Sequence, residues 1–228
     1  MSANSEEPQN AEAGAPKEGL AARFSKVRLH APHLDTAGAK QKAEFILSRC
    51  YGLVRAPKAE WEQIRDEDTT VFNILAGYVA PLAVIPPLCD LIGSALFNRL
   101  LQGDFGGAVV RAIITFVVSV LLVGLVGLLI NALAENFDGD RNDLRAQKVS
   151  AYAMTPTFIS GFFSLWPGTW WVSIFALGYA VYLFYTGLPI LMNASRERAL
   201  GYAGVVSIAG LIAFFILFSI VSLAASHA

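Results

Sequence analysis

One carboxylate, Asp90, interrupts a run from Val71 to Phe97 that is otherwise free of charge. An acid inside such a run invites ion or proton chemistry, because an unpaired carboxylate in hydrocarbon is costly and persists only with a role or a partner. Three readings fit it. It is an interfacial acid paired with Arg99 or Arg111, it meets polar groups freed by Pro86 and Pro87, or it belongs to a transport pathway. A pathway would normally include further ionisable residues at mid-depth, and the later apolar runs offer none. Tyr179, Tyr182 and Tyr185 recur every third residue, where hydroxyls could line a substrate route or knit two helices together. Ala176 and Ala180 at close-packing spacing favour the seam. His30 and His33 lack a third ligand nearby and do not form a metal site. Cys50 and Cys89 read as unpaired thiols, with acylation of Cys50 as the alternative. The Asn193-Ala-Ser195 sequon falls on the side predicted to face the cytoplasm. No nucleotide loop, zincin box, CxxC pair or nucleophile elbow is present, so the sequence points to no cofactor and no enzyme activity.

The elements that must position these residues are apolar helices. Val149 to Ser195 holds 47 residues without Asp, Glu, Lys or Arg, and a helical crossing needs about 20. Trp166-Pro167-Gly168 in its middle supplies the turn between two crossings. Ala112–Ala134 and Ala199–Ser226 are each one crossing long. Five spans follow: 71–97, 109–133, 149–165, 169–187 and 199–223. Pro81, Pro86 and Pro87 should kink or break the first, since each proline removes a backbone donor and crowds the preceding turn. The third is short and contains Pro156, which we read as a kink in one helix.

Charge separates the chain into a polar front and an apolar remainder: 11 of 18 acids and ten of 17 bases precede Thr69. Residues 1–39, rich in Ala, Glu, Pro and Gly, cannot bury enough surface to order themselves and are expected to be a disordered tail. Residues 40–68 form an amphipathic region. Ala43, Ile46, Cys50 and Leu53 recur at helical spacing, and Trp61 sits where an interfacial indole would. This helix either lies in the headgroup layer or packs on the ends of its own spans. Residues 69–228 then form the membrane domain. The fold class is therefore an all-α bundle of five transmembrane helices behind an amphipathic helix. Residues 20–65 carry nine bases against four acids, and Arg141, Arg145, Lys148, Arg196 and Arg198 fall on the same side. The positive-inside rule places the N-terminus in the cytoplasm and the C-terminus outside.

Several phrases in combination resemble the Yip family, in its bacterial branch. They are Ala-Glu-Trp61-Glu-Gln-Ile, Tyr78-Val-Ala-Pro81-Leu-Ala-Val-Ile-Pro86, Ala-Tyr152-Ala-Met-Thr-Pro156, and Tyr182-Leu-Phe-Tyr185-Thr-Gly187-Leu-Pro189-Ile-Leu-Met192. The resemblance covers roughly 56–223. It implies five spans, a cytoplasmic N-terminus and residence in the bacterial inner membrane with a periplasmic C-terminus. The family's eukaryotic members bind Rab-type small GTPases and organise vesicle traffic and membrane shape without known catalysis. This chain has instead a short, Ala-rich front segment. The function expected is non-enzymatic membrane organisation, scaffolding or partner recruitment. Its partners would be lipids and an unidentified membrane or cytoplasmic protein, not nucleic acid, and a homo-oligomer is compatible with it. The competing expectation is a small-solute or ion transporter using the proline-broken first span and Asp90.

Overall fold

A computed structural model describes residues 36–97 and 105–226. Residues 1–35 of the expected disordered tail, with His30 and His33, and Arg99 lie outside these residues, whereas 36–39, expected in the tail, are helical. Among the described residues all regular structure is helical. Two short helices come first, α1 (Thr36–Arg55) and α2 (Pro57–Asp66). The long helices are α3 (Val71–Leu96) and α4 (Phe105–Leu133), then α7 (Trp171–Leu191) and α8 (Ala199–Ser226). Between them lie α5 (Asp143–Ala153), α6 (Thr155–Ser160) and a 3-10 turn, Gly161–Leu165. Among the described residues, four helices are long and apolar enough to cross a bilayer, within Val71–Leu96, Gly106–Phe137, Trp171–Leu191 and Ala199–Ile220.

The prolines re-wind α3 where they fall. Leu75–Val79 is π-helical, closed by the Ala80 amide donating to the Leu75 carbonyl, and Pro81 follows in the next turn. Pro81 has no N–H to offer the preceding turn, so the ladder slips by one residue ahead of it. A second break at Val84 precedes Pro86 and Pro87 in the first turn of the closing segment, Ile85–Leu96. The stretch 149–165 departs from the expected single kinked helix. The α5 helix stops at Met154 and α6 starts afresh at Thr155, with Pro156 in its first turn. Pro156 cannot donate to the Tyr152 carbonyl, and a proline in a first helical turn costs nothing because that donor is unused there. The Thr157 hydroxyl ties the joint by donating to the Met154 carbonyl at 2.6 Å.

Glycines set the closest approaches. A Cβ on Gly161 would lie 2.5 Å from Pro86 Cγ, and one on Gly93 would lie 2.7 Å from the Ser164 carbonyl oxygen. The end of α3 and the 3-10 turn thus press backbone on backbone. A Cβ on Gly127 would meet the Gln147 amide at 2.3 Å, which brings α5 against α4. There the Val123 carbonyl accepts from both Gln147 Nε2 (3.2 Å) and Ser150 Oγ (2.6 Å).

At one end of the bundle the loops after α4 and α7 meet. The Asp140 amide donates to the Met192 carbonyl (2.7 Å), and Arg198 pairs with Asp138 at 3.2 Å. These are the two loops whose bases the charge pattern assigns to one side. The turn between the 3-10 segment and α7 carries Trp166, Trp170 and Trp171, all exposed, with Gly168 at a φ of 86°. Only glycine adopts that conformation without strain.

Candidate functional site

The most heavily partnered polar region joins α1 and α2 to the bundle. Ile46, Arg49, Cys50 and Leu53 share one face of α1, at offsets of three, four and seven residues. Leu53 is fully buried. Arg49 Nη1 donates to Glu60 Oε1 at 2.7 Å, and Nη2 donates to Glu67 Oε2 at 3.0 Å. The Phe45 ring covers its guanidinium, 5.2 Å from the centroid. Gly52 makes this elbow close: a Cβ there would fall 2.0 Å from Glu60 Oε2. Burial pulls the Arg49 pKa down, but the Glu60 hydrogen bond and the Glu67 charge outweigh it, and the net shift is upward. Arg49 therefore stays charged at any pH the cell meets.

Lys148 completes the arrangement from the other side. Its Nζ donates to the carbonyls of Ile64 (2.7 Å), Arg65 (3.3 Å) and Glu67 (2.6 Å). An ammonium has three donors, and here each finds a carbonyl at the C-terminal end of α2, the Ile64 carbonyl also accepting from the Glu67 amide at 3.4 Å. The helix dipole puts its negative end at that point, which favours the cation further. Lys148 is only 2% exposed. Burial lowers its pKa, with Glu67 pulling the other way. Two cations and two anions balance, so the joint is neutral.

Below this layer lies a stack of hydroxyls and rings. The Tyr152 hydroxyl donates to Glu67 Oε2 at 3.3 Å, and its ring lies 4.5 Å from that of Tyr78. Tyr78 Oη and Thr155 Oγ1 are 2.8 Å apart, with Cys50 Sγ 4.0 Å from the same hydroxyl. Burial pushes the Cys50 thiol up, against a smaller pull from Tyr78. A thiol turned inward with a raised pKa makes a poor nucleophile. Trp61 is fully buried, which corrects its expected place at an interface. Its Nε1 donates to Thr186 Oγ1 at 3.1 Å, and its indole covers Gly187, where a Cβ would come within 2.7 Å of Cε2. Indole burial and the satisfied N–H outweigh what a headgroup layer offers.

Of the residues singled out in the sequence, Tyr152 and Gly187 belong to this joint. Pro86 and Pro87 lie at the α3 break, Pro86 against Gly161, while Pro81 is exposed and Pro156 starts α6. Pro189 lies within α7. Tyr182 and Tyr185 are about 40% exposed, and it is Tyr179 that turns inward. Its hydroxyl is placed to donate to the Leu53 carbonyl (3.0 Å) or the Val54 carbonyl (3.3 Å) at the end of α1. Asp90 is exposed beside a pocket of about 170 Å³ formed with the Trp166 turn, and among the described residues it makes no ion pair. Arg49, Glu60, Glu67 and Lys148 were not anticipated as a site. A signal existed: the acids 66–68 open one apolar run and Lys148 immediately precedes another.

The Yip1 domain model matches residues 51–217, a span that starts within α1 and reaches into α8. The chain belongs to the Yip1 domain family. Among curated proteins it is similar to Inner membrane protein YohC of Escherichia coli K12 and to its counterpart in strain O6:H1. Each is 26% identical over 166 residues, which covers 69% of this chain and 85% of the relative. No solved structure matches. The Yip1 domain match takes in Trp61, Glu67, Tyr78, Lys148, Tyr152, Thr155, Thr186 and Gly187, most of the joint, but not Arg49.

Proposed function

We propose that this Yip1 domain protein is a non-enzymatic organiser of the bacterial inner membrane. Its α1–α2 hairpin, locked onto the bundle, presents a lipid-facing stripe or recruits a partner. The observation that carries the reading is that α1 has two apolar faces. Ile46, Cys50 and Leu53 face the bundle, whereas Leu47, Tyr51 and Val54, about 100° round the helix, are 63–67% exposed. Lys40 and Lys42 are exposed at the start of α1, and Arg55 sits over the Tyr51 ring, 5.9 Å from its centroid. An apolar stripe edged by bases suits the anionic headgroup layer. Docking and membrane contact, which the sequence offers as alternatives, are thus served by different faces of one helix.

In this reading the chain passes five times through the inner membrane, the location that the name of the YohC relative gives for that protein. The interrupted segment 143–165 supplies the fifth pass. Lys148 bonds residues that precede α3, and Ser164 and Leu165 meet Gly93 near the end of α3. The N-terminus is cytoplasmic and the C-terminus periplasmic, because the base-rich loops gather at the Lys148 end and the tryptophans at the other.

The test uses Leu47→Glu with Tyr51→Glu in the full-length protein. The pair leaves every docking contact in place, so the protein should accumulate and melt normally. It should nevertheless fail to restore the lipid-packing phenotype or the crosslinked partner lost on deletion. A deletion without either defect, or full rescue by the double variant, overturns the reading. A C-terminal fluorescent fusion that lights up in the cytosol overturns the topology.

A further inference from the structure

Five segments line a cavity of about 330 Å³ in the apolar part of the bundle, open on one side where Leu177 and Leu211 are exposed. Pro86 of α3, Leu122 and Val126 of α4, Phe158 of α6, and stretches of α7 and α8 around Ala180 and Gly210 form its walls. The void is about twice the size of an engineered apolar cavity that takes up benzene. Left empty, it would forfeit packing along every wall. No lining residue is charged, so the occupant is uncharged.

Polar groups nevertheless enter the cavity. Thr115, Ser119, Thr157, Ser160, Ser173 and Ser207 all line it. Hydroxyls on membrane helices usually donate to a carbonyl of their own preceding turn. Thr115, Thr157 and Ser160 do so, at 2.9, 2.6 and 2.8 Å, which leaves their lone pairs as acceptors. Ser207 does not. Its Oγ is buried and has no partner among the described residues. A buried hydroxyl without a partner forgoes a hydrogen bond, and in native proteins such groups are few.

We infer that this cavity is a binding site for an uncharged, hydroxyl-bearing membrane lipid of the diacylglycerol type, whose polar group bonds Ser207. The apolar walls take part of one acyl chain, and the rest of the molecule leaves by the open side. The Ser207 hydroxyl gives and accepts one bond, and the acceptor oxygens nearby take the ligand's own O–H. A phosphate brought to the depth of Ser207 is disfavoured, since none of the lining residues would neutralise it, so a phospholipid competes poorly for that hydroxyl.

The experiment reconstitutes the full chain in vesicles of phosphatidylethanolamine and phosphatidylglycerol. These contain a trace of diacylglycerol with a diazirine in mid-chain, or of phosphatidylglycerol with the same chain. After illumination, labelled peptides are read residue by residue. The diacylglycerol probe should concentrate on buried lining positions such as Val126, Ala180 and Phe184, over the outward-facing Leu121, Leu125 and Ile216. Excess unlabelled diacylglycerol should compete with it. Ser207→Ala should weaken that competition about fivefold, the worth of one hydrogen bond. Ala180→Phe, which fills the void, should drop lining positions to the outward level. Should Ala180→Phe fail to fold, Ser207→Ala carries the test, since it removes only an unpartnered oxygen and should leave the melting temperature unchanged. Equal labelling of lining and outward residues overturns the site. So do equal labelling by the charged probe and unchanged competition in Ser207→Ala.

Discussion

The two ends of this bundle treat charge in opposite ways. At the hairpin end, four ionised groups from α1, α2, α5 and the turn before α3 neutralise one another, with side-chain exposures of 11–21% along the Arg49 pairs. At the tryptophan end, Asp90 stays exposed and makes no ion pair among the described residues. An exposed acid with no partner in the fold places no demand on the packing around it. The hairpin joint has no such freedom, because its cations are covered on all sides. Conspicuousness in the sequence is thus a poor guide to partnering here: the carboxylate inside the apolar run makes no ion pair among the described residues, and the lysine at the edge of another run holds two elements together.

Lys148→Met should break that contrast hardest. It removes the donor from the Arg65 and Glu67 carbonyls, leaves the Ile64 carbonyl with the Glu67 amide alone, and takes away half of the compensation of Glu67. Removing one partner of a buried ionic cluster costs about 3–5 kcal/mol. Unfolding in mild detergent, followed with a protease that cuts 56–70, should show early release of the hairpin while the long helices stay folded. If the hairpin stays protected, Lys148 is a bystander.

Next comes the Arg49–Glu67 pair, read through a double-mutant cycle of Arg49→Met and Glu67→Gln. Their charge-assisted bond should give a coupling of about 1.5–3 kcal/mol. Arg49→Met should be the worse single change, since it leaves Glu60 without its cation and Glu67 with Lys148 alone. Additive effects would mean that the two residues act through separate contacts. A smaller loss, about 1 kcal/mol, is expected for Tyr179→Phe, which frees the last carbonyls of α1 from a neutral donor. Hydrogen exchange at Leu53–Ala56 should rise in that variant and stay unchanged at Trp61.

How far the sequence speaks follows the same division. Apolar length and the absence of charge predict five spans, and four of them are long helices among the described residues, because a bilayer-length run has few other uses. The break at Pro156 is legible as a missing donor. Whether it kinks one helix or starts another depends on Thr155 finding Tyr78, a contact 77 residues away that periodicity does not encode. The tyrosine triplet reads as one stripe, yet only Tyr179 turns inward, since the hairpin covers just one edge of α7. Trp61 illustrates the limit most clearly. An indole in a polar stretch beside a span satisfies every expectation of an interfacial anchor, and only the bare backbone of Gly187, 126 residues on, makes room to bury it.

The smallest expected effect is the most pointed test of the contrast. Asp90→Asn keeps the shape and removes the charge. If the acid is idle, stability should shift by no more than about 0.5 kcal/mol, as for a surface change. Flux of protons or small cations into liposomes carrying the full chain should be no different from wild type. A transport role requires the reverse. Asp90 would have to lose and regain its charge during a cycle, and its neutral replacement would abolish flux while leaving the fold intact. The pocket beside Asp90 is bounded by Trp166, Pro167, Thr169 and Ser173. A cation arriving there would find hydroxyls and one carboxylate, but the 330 Å³ cavity, which Ser160 and Ser173 also line, has no acid to receive it next. Loss of flux in Asp90→Asn would therefore require a route outside that cavity, and it would reverse the assignment of the two ends.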